Sequence, residues 1–73
     1  MIDYSKGRYT VRNGQGGIVG RIDEDEYVRN GAELLYRVDG DELYSNNGKF
    51  VGDIEDGNVI APTGEVLFRI VAE

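Results

Sequence analysis

The sequence predicts an all-β domain: four 16-residue β-hairpin repeats in an antiparallel meander. Three observations predict it. First, Arg21-Ile22-Asp23, Arg37-Val38-Asp39, Asp53-Ile54-Glu55 and Arg69-Ile70-Val71 recur at a constant spacing of 16 residues. Self-similarity at a fixed period marks a repeat architecture. Second, the segments around these triplets are rich in Val, Ile, Tyr and Phe and alternate apolar with polar, as strands do. Third, glycine and asparagine punctuate both ends of every such segment, where tight turns need positive φ angles.

The 73 residues make one domain, 1–73, with repeat units 9–24, 25–40, 41–56 and 57–72. Residues 1–8 come before the first unit. Ile2 and Tyr4 there fall on repeat positions 10 and 12, so this half unit is either an extra strand that closes the sheet or a frayed terminus. In each full unit, positions 2–5 form a short strand and positions 9–15 a longer one. Asn13-Gly14, Asn30-Gly31, Asn46-Asn47-Gly48 and Pro62-Thr63-Gly64 turn the chain within units; Asp39-Gly40 and Asp56-Gly57 turn it between them. Connections this short join antiparallel neighbours, which gives a meander of about eight strands.

Four columns are apolar in all units. Position 3 holds Val11, Tyr27, Leu43 and Val59; position 10 holds Ile18, Leu34, Phe50 and Val66. Position 11 holds Val19, Leu35, Val51 and Leu67, and position 14 holds Ile22, Val38, Ile54 and Ile70. Strict alternation puts positions 10, 12 and 14 on one face, the expected core. Position 12 alternates Gly20, Tyr36, Gly52 and Phe68. Each ring is expected to lie over a glycine of the neighbouring unit and fill the layer without overpacking.

The stretches Tyr44–Ile54 (YSNNGKFVGDI) and, less closely, Ile18–Ile22 (IVGRI) resemble the four-fold β-flower proteins, small bacterial and phage domains in which four hairpin petals surround an axis. The resemblance spans residues 9–72 and implies the pseudo-four-fold arrangement. Tyr36 and Phe68 depart from it, standing where units one and three carry glycine. It implies no catalytic residues.

Composition narrows the function. Without cysteine there is no disulfide framework and no thiolate metal site; without histidine the commonest zinc ligand and general base are missing. Ser5 and Ser45 therefore lack a base, and the glycine-rich stretch Asn13–Gly17 lacks the lysine and helix of a phosphate loop. The chain is expected not to be an enzyme and to need no metal or cofactor. A net charge of −6 argues against non-specific nucleic-acid binding. No apolar run reaches 18 residues and no leader opens the chain, so no membrane association and a cytoplasmic location are expected.

Two candidate surfaces remain. Position 13 carries Arg21, Arg37 and Arg69, with Asp53 in the third unit. If the petals ring an axis, these guanidiniums converge into an anion site. On a solvated face they instead pair with Asp23, Asp39 and Glu55 at position 15. The junctions between units concentrate acids, including Asp25, Glu26, Asp41 and Glu42, into a rim at one end of the molecule. Tyr9 and Tyr44 lie outside the apolar columns and are the tyrosines most suited to an interface. The sequence therefore points to a non-enzymatic protein-binding or self-associating module, with a protein partner or homo-oligomer. The alternative is a binder of a small anion such as a nucleotide at an axial arginine cluster.

Overall fold

The structure, a computed structural model, describes residues 4–73. Eight strands follow a short 3-10 turn at Tyr4–Lys6: β1 (Arg8–Asn13), β2 (Ile18–Asp23), β3 (Tyr27–Asn30), β4 (Glu33–Asp39), β5 (Glu42–Ser45), β6 (Phe50–Glu55), β7 (Asn58–Ile60) and β8 (Val66–Ala72). They form a closed antiparallel barrel in chain order. Seven seams join strands consecutive in sequence. The eighth pairs β1 with β8, from Tyr9 opposite Ala72 to Asn13 opposite Phe68. That seam leaves the sheet with no open edge.

The expected extra strand is therefore not what closes the sheet. Tyr4 is buried within the short turn, its ring 5.1 Å from that of Tyr9 in an edge-on contact. Ile2 lies outside the described residues. The turn is tied to the barrel by the Glu24 amide, which donates to the Gly7 carbonyl at 2.9 Å. Burial, with a smaller contribution from Tyr9 and Asp56, pushes the Tyr4 hydroxyl above the ordinary phenol range, while a backbone hydrogen bond with Gly57 opposes the shift. A native pKa raised above the unfolded value of about 10 stabilises fully below that pH and loses its contribution as pH rises through the native value. Denaturation midpoints measured from pH 9 upward should accordingly fall more steeply for the wild type than for Tyr4→Phe. Parallel curves would show that Tyr4 ionisation is not linked to folding.

The core consists of Tyr4, Val11, Ile22, Val28, Val38, Leu43, Ile54, Val59 and Ile70. No polar side chain is buried among the described residues. Position 14 is wholly in this core, as alternation requires. Position 10 is not: Ile18, Leu34, Phe50 and Val66 are between 39% and 55% exposed. The reason is a register shift in each hairpin. Val11 pairs with Gly20 but Arg12 pairs with Ile18, which skips Val19. Leu35, Val51 and Leu67 are skipped in the same way. One bulged residue reverses the alternation beyond it, so position 10 turns outward and position 11 takes up the half-buried place. Two adjacent apolar columns are thus a bulge signature.

The second unit also departs from the repeat. Val28, not Tyr27, is the buried residue of β3. Five residues separate Ile22 from Val28, against four between Val38 and Leu43 or between Ile54 and Val59. The β3–β4 hairpin absorbs the slip with a two-residue loop, Gly31-Ala32, closed by the pair Asn30 and Glu33.

Position 12 also differs from expectation. The Tyr36 and Phe68 rings meet each other, with centroids 5.3 Å apart at 51°, and no ring atom is among the three nearest that a Cβ would meet at Gly20 or Gly52. The glycines serve a different contact. A Cβ on Gly20 would stand 2.6 Å from the Arg29 carbonyl oxygen, and one on Gly52 would stand 2.8 Å from the Ile60 carbonyl carbon and closer still to its oxygen. At both places the next strand's backbone crosses where a side chain would be.

Candidate functional site

Each strand that turns an apolar residue inward turns its neighbour outward, so the outer wall of the barrel follows from the core. Ile22, Val38 and Ile70 point inward, and Arg21, Arg37 and Arg69 point outward and are exposed. The closed barrel does not bring these three arginines onto an axis. Each lines a separate groove. Arg21 lies with Arg8, Asp25 and Arg29; Arg37 lies with Tyr27, Leu34 and Tyr44; Arg69 lies with Arg12, Asn58 and Phe68.

Up-and-down topology sorts the turns. Those after β2, β4 and β6 lie at one end, and those after β1, β3, β5 and β7 at the other. The first end carries Asp23–Glu26, Asp39, Asp41, Glu42, Glu55 and Asp56. The Asp56-Gly57 turn has both φ angles positive, at 50° and 82°, the conformation that suits a two-residue hairpin loop. The acids of this end are partly engaged. Asp25 accepts from the Tyr27 amide at 3.0 Å and pairs with Arg29 at 2.8 Å. Glu26 pairs with Arg37 at 3.3 Å, and Asp23 with Arg8 at 3.0 Å. Glu42 accepts the Tyr44 hydroxyl at 3.1 Å, a hydrogen bond that holds the Tyr44 phenol above its ordinary pKa. Asp41 is exposed on the β4–β5 turn. The candidate tyrosines part company: Tyr9 packs against the core beside Tyr4, whereas Tyr44 lies on the outer wall, its ring 5.7 Å from Phe50. No group of three or more carboxylates gathers closely enough to hold a metal ion among the described residues.

The opposite end is acid-poor. Its strand ends and turns carry Arg12, Glu33, Lys49 and Glu65, while Arg29 in β3 turns its guanidinium back to Asp25. Just below its turns lie the outward-facing Ile18, Leu34, Phe50 and Val66, one per hairpin. Their cross-strand partners are Arg12, Arg29, Tyr44 and Ile60. Arginine stems and a tyrosine ring can cover part of such surface, and the rest meets water. Sequence reasoning assigned these four residues to the core and missed Arg12 altogether. The doublet of apolar columns was the signal for the former; the position of Arg12 opposite Arg69 depends on closure of the barrel.

Comparison with known proteins finds no matching family model, no matching curated protein and no matching solved structure.

Proposed function

We propose that this chain is a non-enzymatic interaction module that associates with a second copy of itself through the acid-poor end of the barrel. The observation that carries the reading is the exposure of Ile18, Leu34, Phe50 and Val66, an apolar residue in every hairpin at a place the barrel does not bury. Scattered exposed apolar residues are ordinary in soluble proteins; four grouped around one rim mark a surface that is covered in use. Charge selects the partner. Two copies meeting through their acidic ends would bring nine carboxylates against nine, whereas two cations, Arg12 and Lys49, and two anions, Glu33 and Glu65, belong to each acid-poor end. Self-association there avoids like-charge repulsion and leaves the acids in water, where they oppose further aggregation. A 73-residue chain also has a small core, and a shared interface adds to it. The same reading takes the architecture as four 16-residue units about a pseudo-four-fold axis, in the manner of the four-fold β-flower proteins. It is supported by register shifts that recur at Val19, Leu35, Val51 and Leu67.

Sedimentation velocity tests it. At roughly 100 μM, where a micromolar interface is saturated, the wild type should run as a dimer. The double variant Leu34→Gln/Phe50→Gln should run as a monomer with an unchanged circular-dichroism spectrum. A wild type that stays monomeric at that concentration overturns the proposal.

A further inference from the structure

We propose that the outer face of β8 forms a binding groove for a small organic dianion, a phosphate monoester carrying an apolar or aromatic body. The groove has a volume of about 500 Å³, and its lining includes Arg12, Asn58, Val66, Phe68, Arg69 and Val71. That is within the range of about 300–1,000 Å³ typical of small-ligand sites.

Charge carries the inference. Arg12 and Arg69 stand directly opposite each other in the register of the β1–β8 seam. Like charges facing one another across a strand pair destabilise it unless something neutralises them. The other four arginines have carboxylate partners: Arg8 with Asp23, Arg21 with Glu73, Arg29 with Asp25 and Arg37 with Glu26. Arg12 and Arg69 make no ion pair among the described residues. Among the described residues no carboxylate lines this groove, although the chain carries 14 acidic residues. A protein with net charge −6 thus sets two arginines opposite each other across a strand pair with no carboxylate partner among the described residues.

The remaining features suit a dianion with a body. One arm of Arg12 is held, its Nη1 donating to the Gly16 carbonyl at 2.7 Å, which leaves the other donors of the fork to a ligand. A phosphate monoester bears close to two negative charges at neutral pH and accepts bidentate guanidinium bonds, so it matches two arginines in charge and geometry. Asn58, opposite Arg69 in register, adds a side-chain amide. Val66 and Val71 are both more than 40% exposed and provide apolar surface for the rest of the molecule. The groove around Arg21 and Arg29 lacks this character, because Asp23, Asp25 and Glu73 line it too.

The groove shares Val66, and Arg12 opposite Ile18, with the rim given to self-association, so the titration is run on the Leu34→Gln/Phe50→Gln variant, which keeps every lining residue, as well as on the wild type. Phenyl phosphate, inorganic phosphate and phenol are titrated into the intact protein, followed by amide chemical shifts. Phenyl phosphate should shift resonances of β1 and β8 and bind more tightly than either fragment. Arg12→Gln and Arg69→Gln should each weaken it by at least about tenfold, the loss expected for a hydrogen bond to a charged group. Arg21→Gln, on the neighbouring groove, should leave it unchanged. Without ligand, Arg69→Gln should raise the melting temperature by relieving the repulsion. No shift with phenyl phosphate at millimolar concentration, or binding indifferent to both substitutions, overturns the proposal. Equal binding of inorganic phosphate overturns the role given to the apolar floor.

Discussion

Replacing Tyr4 with alanine should destabilise the barrel by about 3–5 kcal/mol, the usual cost of deleting a buried aromatic side chain. Tyr4 is 5% exposed and belongs to the core although it comes from outside the eight strands. Its ring meets Tyr9, and a hydrogen bond links it to the backbone of Gly57 in the β6–β7 turn, so one residue joins the start of the chain to the acidic end of the barrel. Removal leaves a void at that end, and the strands around it cannot collapse without breaking their pairing. A domain of this size has a total stability of roughly 4–11 kcal/mol by the per-residue rule, so the variant should be largely unfolded in moderate urea where the wild type is folded. Urea titration followed by circular dichroism measures the difference. A loss below 1 kcal/mol would mean that the turn at Tyr4–Lys6 rests on the barrel without supporting it.

Gly52→Ala should have the next largest effect, a loss of about 1–3 kcal/mol, the usual cost of overpacking. The added methyl would collide with the carbonyl of Ile60. The obstacle is backbone, so no rotamer change relieves it; β6 and β7 must separate or slip. Their ladder has three pairs, from Asp53 with Ile60 to Glu55 with Asn58, and little to spare. Gly20→Ala should act in the same direction through Arg29. Gly14→Ala is the control: its methyl meets nothing within 4 Å. Denaturant midpoints should therefore fall for Gly52→Ala and Gly20→Ala and hold for Gly14→Ala. Equal midpoints for Gly52→Ala and Gly14→Ala would refute the close approach.

The difference between these glycines marks how much the sequence discloses. Strands, tight turns and the meander were legible because they are local: alternation, β-branched residues and Asn-Gly or Asp-Gly pairs declare themselves within a few positions. The orientation of position 10 was not legible. Ile18-Val19 and Phe50-Val51 read equally well as an unbroken strand and as a bulge, and only pairing with Arg12 or Tyr44 decides between them. Tyr27-Val28 hid a one-residue slip in the same manner, since either side chain suits a core. The arginines of position 13 were correctly placed on the face opposite the core. Whether that face enclosed an axis or met water depended on the sheet closing, which is a long-range fact. The candidate groove was least legible of all, because Arg12 and Arg69 become neighbours only across the seam between the two ends of the chain.

That seam has a kinetic consequence. In a meander, every hairpin forms between residues near in sequence, so each step orders a short loop and gains its hydrogen bonds at once. The pairing of β1 with β8 is different: Thr10 and Glu73, which meet there, are 63 residues apart. Its loop-closure entropy falls due in a single event, after which the ribbon has no free edge for another chain to join. The interval before closure is thus when this protein is most exposed to aggregation, and the acids crowded at one end of the ribbon keep open chains apart during it.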